Sequence, residues 1–196
     1  MKYRLYSFLR PIITVLMKLL FRIEIVGSEN IPKTGGVILA GNHKSNFDCV
    51  LLISSTKRMI RFIAKKELVD GKLGFLFKKM GIIPVDRKAK NKKAISTAVD
   101  VLKHDGVIGI FPEGTFNNTE YVTMPFKVGA VKMAYEADVK IVPFAIINDY
   151  KIFRKSVKIV FGRAYKLKDK DDLKKENITL MNKVIRLLKN GNNREN

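Results

Sequence analysis

Past residue 23 the apolar residues gather into short runs bounded by glycine, proline or charge. GGVILAGN (35–42), MIRFIAK (59–65), GIIPVD (81–86), GVIGIFPEG (106–114), KIVPFAII (140–147) and SVKIVFG (156–162) read as buried strands. Between them, NFDCVLLISS, KLGFLFKKM, NKKAISTAVDVLKH and PFKVGAVKMAYEA have helical spacing or helix-forming composition, and a last helix covers about 170–189. Such alternation predicts an α/β fold: one domain over residues 23–189, with a largely parallel sheet flanked by helices. The closing NGNNREN (190–196) reads as a frayed polar tail.

The first 22 residues, MKYRLYSFLRPIITVLMKLLFR, follow a different pattern. Arg10 and Lys18 interrupt the apolar run, no stretch reaches the ~18 uncharged residues of a membrane span, and no small-residue cleavage site follows. At about 100° per residue, Leu5, Leu9, Ile12, Leu16 and Leu20 fall on one side, while Arg4, Lys18 and Arg22 gather opposite. Pro11 is expected to break or kink the segment into two pieces. Residues 1–22 therefore read as an amphipathic helical segment lying on a membrane, its apolar side in the acyl chains and its basic side toward lipid phosphates. A helix packed on its own domain would show the same pattern.

Charge narrows the range of partners. Lysine and arginine number 38 against 18 acidic residues, a net charge of +20, so the partners are anionic: nucleic acid, an acidic leaflet or a phosphorylated substrate. A nucleic-acid-binding module remains an alternative for basic runs such as DRKAKNKK, but the aromatics interleaved with basic residues and the binding motif it calls for are missing, so no nucleic acid is expected. Cys49, the single cysteine, excludes an internal disulfide and a thiolate metal site and suits a reducing, cytosolic setting. With only two histidines, well separated, no metal is expected, and His104 in DVLKHDG reads as a helix C-terminal residue without catalytic role.

Three short stretches carry candidate chemistry. In GNHKSNFD (41–48) the strand-like VILAGN gives way to the helix-like FDCVLLI, which puts His43 in the connecting loop and Asp48 in the first helical turn, with Ser45 or Asn46 as cap. There the carboxylate can reach back to one imidazole nitrogen and leave the other as a general base near neutral pH; the same two residues could also simply cap the helix. FPEGTF (111–116) ends a strand, which places Glu113 and free backbone N–H groups at the carboxyl edge of the sheet, where Gly114 allows close approach; it could equally be an ordinary turn. PVDRK (84–88) also ends a strand, and Arg87 offers a planar fork to phosphate oxygens unless it belongs to a solvated basic loop.

Taken in order, His43 and Asp48, then Arg87, then Phe111 to Thr115, then Val142 and Pro143 in IVPFAI, the chain resembles the glycerolipid acyltransferases over about residues 23–165, and is closest to the 1-acyl-sn-glycerol-3-phosphate acyltransferases. The resemblance implies that His43 is the catalytic base and Asp48 its orienting partner. It further implies that Arg87 holds the acceptor phosphate, that Glu113 with Gly114 positions the glycerol portion, that Thr115 beside them is substrate-binding, and that Lys127 in PFKVG adds a second phosphate contact. The implied reaction moves a fatty acyl group from a thioester, acyl-CoA or acyl-acyl carrier protein, to the sn-2 hydroxyl of a lysophospholipid on the cytoplasmic face of a membrane, with no cofactor. The enzyme would be peripheral or monotopic. No covalent intermediate is expected, since G-x-S-x-G is absent and Cys49 lies in an apolar run. Phe116 stands where the family's block usually continues with arginine, which removes a cation and leaves glycerol 3-phosphate or another lysolipid as alternative acceptors.

Overall fold

The structure is a computed structural model that describes residues 4–72, 74–86, 91–154, 157–169 and 171–192. Seven strands form one sheet in the order β1-β7-β6-β2-β5-β3-β4, where β1 is Glu24–Val26, β2 Val37–Gly41, β3 Ile60–Lys65, β4 Ile83–Val85, β5 Val107–Ile110, β6 Lys140–Ile147 and β7 Lys158–Phe161. Every pairing is parallel except β6 with β7, so the expected α/β architecture with a largely parallel sheet is the one observed.

Side-chain alternation along the strands splits the core into two layers. Ile38, Ile108, Ile141 and Ala145 face helices α5 (Lys92–Lys103), α6 (Gly129–Ala137) and α7 (Leu173–Asn192) through Leu102, Met133 and Leu180. Val37, Leu39, Val142 and Phe144 face the other way, toward α1 (Arg4–Phe21) and α2 (Phe47–Ser54) through Met17, Phe21, Leu51 and Leu52. Two short helices, α3 (Lys66–Asp70) and α4 (Gly74–Lys79), connect β3 to β4. The sheet is thus covered on both faces, which is why its strands read as continuous apolar runs.

The expected break at Pro11 is corrected by the structure: α1 runs as one helix through that residue. Pro11 and Ser7, whose carbonyl loses the hydrogen bond, both lie on the exposed side, while the opposite side is seated on the domain. The Tyr6 hydroxyl accepts the Ile60 N–H at 3.2 Å, and Arg10 Nε donates to the Thr56 carbonyl at 2.6 Å. At the far end, the Phe153 N–H donates to the Leu20 carbonyl at 2.5 Å.

Helix α1 is apolar on more than one side. Tyr6, Ile13, Met17 and Phe21 pack into the domain, whereas Phe8, Ile12, Val15, Leu16 and Leu19 are exposed. The stripe read from the sequence falls between these faces: Ile12 and Leu16 are exposed, Leu5, Leu9 and Leu20 are half-buried, and Arg4, Lys18 and Arg22 are exposed. At the other terminus α7 continues to Asn192, with Gly191 buried, so the helix extends into the stretch read as a tail.

Candidate active site

β2 and β5 are parallel neighbours, so the loops leaving their carboxyl ends emerge side by side. His43 lies just beyond β2 and Phe111 just beyond β5. Gly41 makes the first of these exits possible, because a Cβ there would fall 2.3 Å from the Phe144 carbonyl oxygen and 2.4 Å from its ring. Asn42 then takes over from the backbone ladder: its amide donates to the Ile146 carbonyl at 2.9 Å and accepts the Ile146 N–H at 2.7 Å. The fourth motif block, with Val142 and Pro143, lies in β6 beside β2, where Ala40 pairs with Pro143. It acts beneath the site by fixing the strand from which His43 departs.

The turn expected between His43 and Asp48 is present, and it brings Asp48 Oδ2 to 2.8 Å from His43 Nδ1. Asp48 is fully buried, and the same oxygen accepts the Lys44 N–H at 2.6 Å and the Ser45 N–H at 2.8 Å. Of the two expected caps, Ser45 Oγ accepts the N–H of Phe47, the first helical residue, at 3.3 Å, whereas Asn46 makes no side-chain cap bond; Asp48 ties down the turn ahead of the helix. With Nδ1 donating to the carboxylate, Nε2 is the imidazole nitrogen left to accept a proton. The His43 side chain is 15% exposed.

The loop after β5 grips His43 from the other side. Its carbonyl accepts the Asn117 N–H at 3.0 Å, and its N–H donates to Glu113 Oε1 at 2.9 Å. The second Glu113 oxygen accepts the Met124 N–H at 2.8 Å. Glu113, expected to contact the glycerol portion, is 3% exposed with both oxygens engaged by the protein's own backbone. Burial pushes its carboxyl above the usual range, partly offset by the two backbone N–H groups. The imidazole itself is stacked on Phe111 at 3.9 Å between centroids, and the Phe116 ring packs against it at 4.5 Å with the two planes inclined by 61°. Phe116, the departure from the family pattern, thus occupies a place against the His43 imidazole.

His43, Gly114, Thr115 and Lys127 all line one cavity of about 490 Å³, within the usual range for small-molecule sites. The remaining wall is mostly apolar, with Phe62, Leu68, Ile95, Ile110 and Met133, and Lys65 adds a second ammonium group. Gly114, at φ +73°, carries no side chain where the Lys127 ammonium lies, 2.8 Å from the place of a Cβ. Arg87 falls outside the described residues; Val85 and Asn91, which flank it in sequence, both line the cavity. Cys49 also lines it, yet burial, followed by the charge of Asp48, pushes its thiol up to about 12, so it is no nucleophile at neutral pH. His104 caps the end of α5, as expected, and lies apart from the cavity.

Two supports escaped the sequence reading. Asn42 is one; a polar residue at the end of a buried strand was its only signal. The other is Tyr150, whose hydroxyl donates to Asp48 Oδ1 at 2.7 Å from 102 positions away.

A strand-end histidine held by a helix-start carboxylate, beside an apolar cavity with ammonium groups, suits general-base chemistry at the carboxyl edge of an α/β sheet. The family model described as Acyltransferase matches residues 22–147, and the chain belongs to that family. It is 30% identical over 164 residues to the 1-acyl-sn-glycerol-3-phosphate acyltransferase of Bacillus subtilis, covering 81% of each chain. It is 34% identical to the enzyme of the same name from Borreliella burgdorferi, over 69% of this chain and 55% of that one. To the mouse 1-acyl-sn-glycerol-3-phosphate acyltransferase alpha it is 34% identical, over 67% of this chain and 47% of that one. The chain therefore spans about half the length of these last two relatives. In fold it is similar to the 1-acyl-sn-glycerophosphate acyltransferase PlsC from Thermotoga maritima, with a TM-score of 0.73 at 20% identity over 94% of this chain and 81% of that one.

Proposed function

We propose that the chain transfers a fatty acyl group from a thioester donor to the free sn-2 hydroxyl of 1-acyl-glycerol 3-phosphate, giving phosphatidate. The observation that carries this reading is the 2.8 Å contact between Asp48 and a histidine lining an apolar cavity. The names of the relatives supply the acceptor. His43 Nε2 takes the hydroxyl proton as the oxygen attacks the thioester carbonyl carbon; when the tetrahedral adduct collapses, the C–S bond breaks and the imidazolium protonates the leaving thiolate. Asp48 fixes the tautomer and stabilises the imidazolium. Glu113 acts by holding the His43 loop against the loop after β5. Lys127 and Lys65 supply positive charge at the cavity for the acceptor phosphate; Arg87, given the same role by the family resemblance, lies outside the described residues. The apolar wall suits an acyl chain, and the basic surface suits an anionic donor, coenzyme A or acyl carrier protein.

Among the described residues no helix is long and apolar enough to cross a membrane. The exposed face of α1 instead suits peripheral attachment on the cytoplasmic side, with Phe8, Ile12, Val15, Leu16 and Leu19 in the acyl region and Arg4 and Lys18 near lipid phosphates. Exposed Ile152 and Phe153 extend this face, since Phe153 is bonded to Leu20. Replacing Ile12 and Leu16 together by aspartate is expected to weaken partitioning onto anionic vesicles by about tenfold or more. Turnover of a short-chain, water-soluble acceptor should stay near wild type, and co-sedimentation alongside that assay measures both effects.

Mass spectrometry of products tests the reaction itself. The protein is incubated with 1-acyl-glycerol 3-phosphate, glycerol 3-phosphate and other lysolipids, each with acyl-CoA and with acyl-acyl carrier protein. Phosphatidate from the first acceptor is the expected product. Acylation of glycerol 3-phosphate or another lysolipid alone would move the assignment to that acceptor, an outcome to which Phe116 lends weight.

A further inference from the structure

Asp48 has no direct route to water, and its two oxygens are engaged in different ways. Oδ2 is held by the imidazole and two backbone N–H groups of its own turn, whereas Oδ1 accepts from the Tyr150 hydroxyl at 2.7 Å. We propose that Tyr150 is a positioning residue for the general base: its hydroxyl holds the Asp48 carboxylate in the plane that meets His43 and tempers how strongly that carboxylate retains a proton on the imidazole. This inference rests on His43 being the base.

Three further observations support it. The Tyr150 ring is held between Phe21, at 5.4 Å and edge-on, and Phe47, at 5.5 Å, while Phe21 and Phe47 meet at 5.2 Å. Phe21 ends α1 and Phe47 immediately precedes Asp48, so the hydroxyl is aimed by side chains from two helices. The neighbouring Asp149 pairs with the Lys44 ammonium at 2.9 Å, and that ammonium also donates to the Asn148 carbonyl at 3.0 Å. The connection after β6 is therefore fastened at three successive residues to the turn that carries the pair. Finally, burial and then the charge of Asp48 raise the Tyr150 phenol far above its ordinary value, so it remains a donor throughout any working pH range.

The sign of the effect follows from hydrogen bonding to a charged form. A donor on Oδ1 stabilises the carboxylate charge and weakens its pull on the imidazolium. Without it, His43 keeps its proton to higher pH, and the acid limb of the rate profile moves upward. The other titratable groups facing the pair are Glu113 beneath the His43 backbone, Cys49 beside Asp48, Lys44 with its partner Asp149, and Lys65 and Lys127 in the wall of the cavity that His43 lines. None of these is altered by Tyr150→Phe, which also keeps the aromatic contacts.

The test uses the full chain with 1-acyl-glycerol 3-phosphate and acyl-CoA, measured from about pH 5 to 9. Tyr150→Phe is expected to lower kcat/KM about 5- to 20-fold at neutral pH and to move the acid limb up by about half a unit, with vesicle binding unchanged. Placing 3-fluorotyrosine at position 150, a stronger donor of nearly the same shape, should move that limb the opposite way and covers the case of a poorly folding phenylalanine variant. A wild-type profile in these variants, or a loss that is uniform in pH with no displacement of the limb, overturns the proposal. His43→Ala, run alongside, separates the two readings: if that variant stays fully active, it is the base assignment that fails.

Discussion

His43→Ala is expected to lower kcat/KM by about 10³-fold, near 4 kcal/mol of transition-state stabilisation, with the fold and vesicle binding retained. The size of the loss reflects the lack of a substitute base among the described residues beside the imidazole. Glu113 has both oxygens committed to backbone N–H groups, and the Cys49 thiol is pushed up to about 12. The fold should survive because Asp48 keeps three donors when the imidazole is removed: the N–H groups of Lys44 and Ser45 and the Tyr150 hydroxyl. The stability cost is therefore one hydrogen bond to a charged group and two ring contacts, about 2.5–6 kcal/mol. A thioester-consumption assay with a thermal melt on the same preparation measures both. Wild-type turnover in the purified variant would remove His43 from the mechanism.

The second large effect is expected for Asp48→Asn. The backbone N–H groups of Lys44 and Ser45 both point at the Oδ2 position, so the amide oxygen must settle there and its NH₂ must turn toward Tyr150, whose hydroxyl oxygen can accept. His43 Nδ1–H would then still find an acceptor, and the correct tautomer would persist. What disappears is the negative charge that stabilises the imidazolium. The expected outcome is a loss of about 10²- to 10³-fold in kcat, less than where an amide turns its NH₂ onto the histidine. The acid limb should move to lower pH, because an uncompensated imidazolium sheds its proton more readily; this is the reverse of the displacement expected for Tyr150→Phe. A full pH–rate profile checks it, and a limb that stays in place would mean that the carboxylate acts only by steric support.

Much of this site was legible because its chemistry is local. His43 and Asp48 lie five residues apart across a strand-to-helix change, so a short pattern shows both the turn and the reach. The strand runs were legible for a related reason: a sheet covered on both faces needs apolar residues on both sides of each strand. Glu113 was harder to place, since a Pro-Glu-Gly turn at a strand end leaves open whether the carboxylate points to a ligand or back to the chain. Tyr150 and Asn42 act on partners 102 and 104 residues away, and no local spacing announces such a contact. β1 and α3, at 3 and 5 residues, are too short to carry a period and owe their shape to their neighbours. Helix α1 misled in its facing because it is apolar toward the protein and toward the exterior alike, so a single stripe drawn through it lands between the two.

The double-sided character of α1 also bears on handling. In detergent-free buffer the ridge formed by Phe8, Val15 and Leu19 would be wetted, and an apolar strip of that kind drives copies together. Apparent size on a gel-filtration column should then fall when mild surfactant or short-chain lipid is added, and a high-mass peak in plain buffer would report thirst for an interface rather than a native quaternary arrangement.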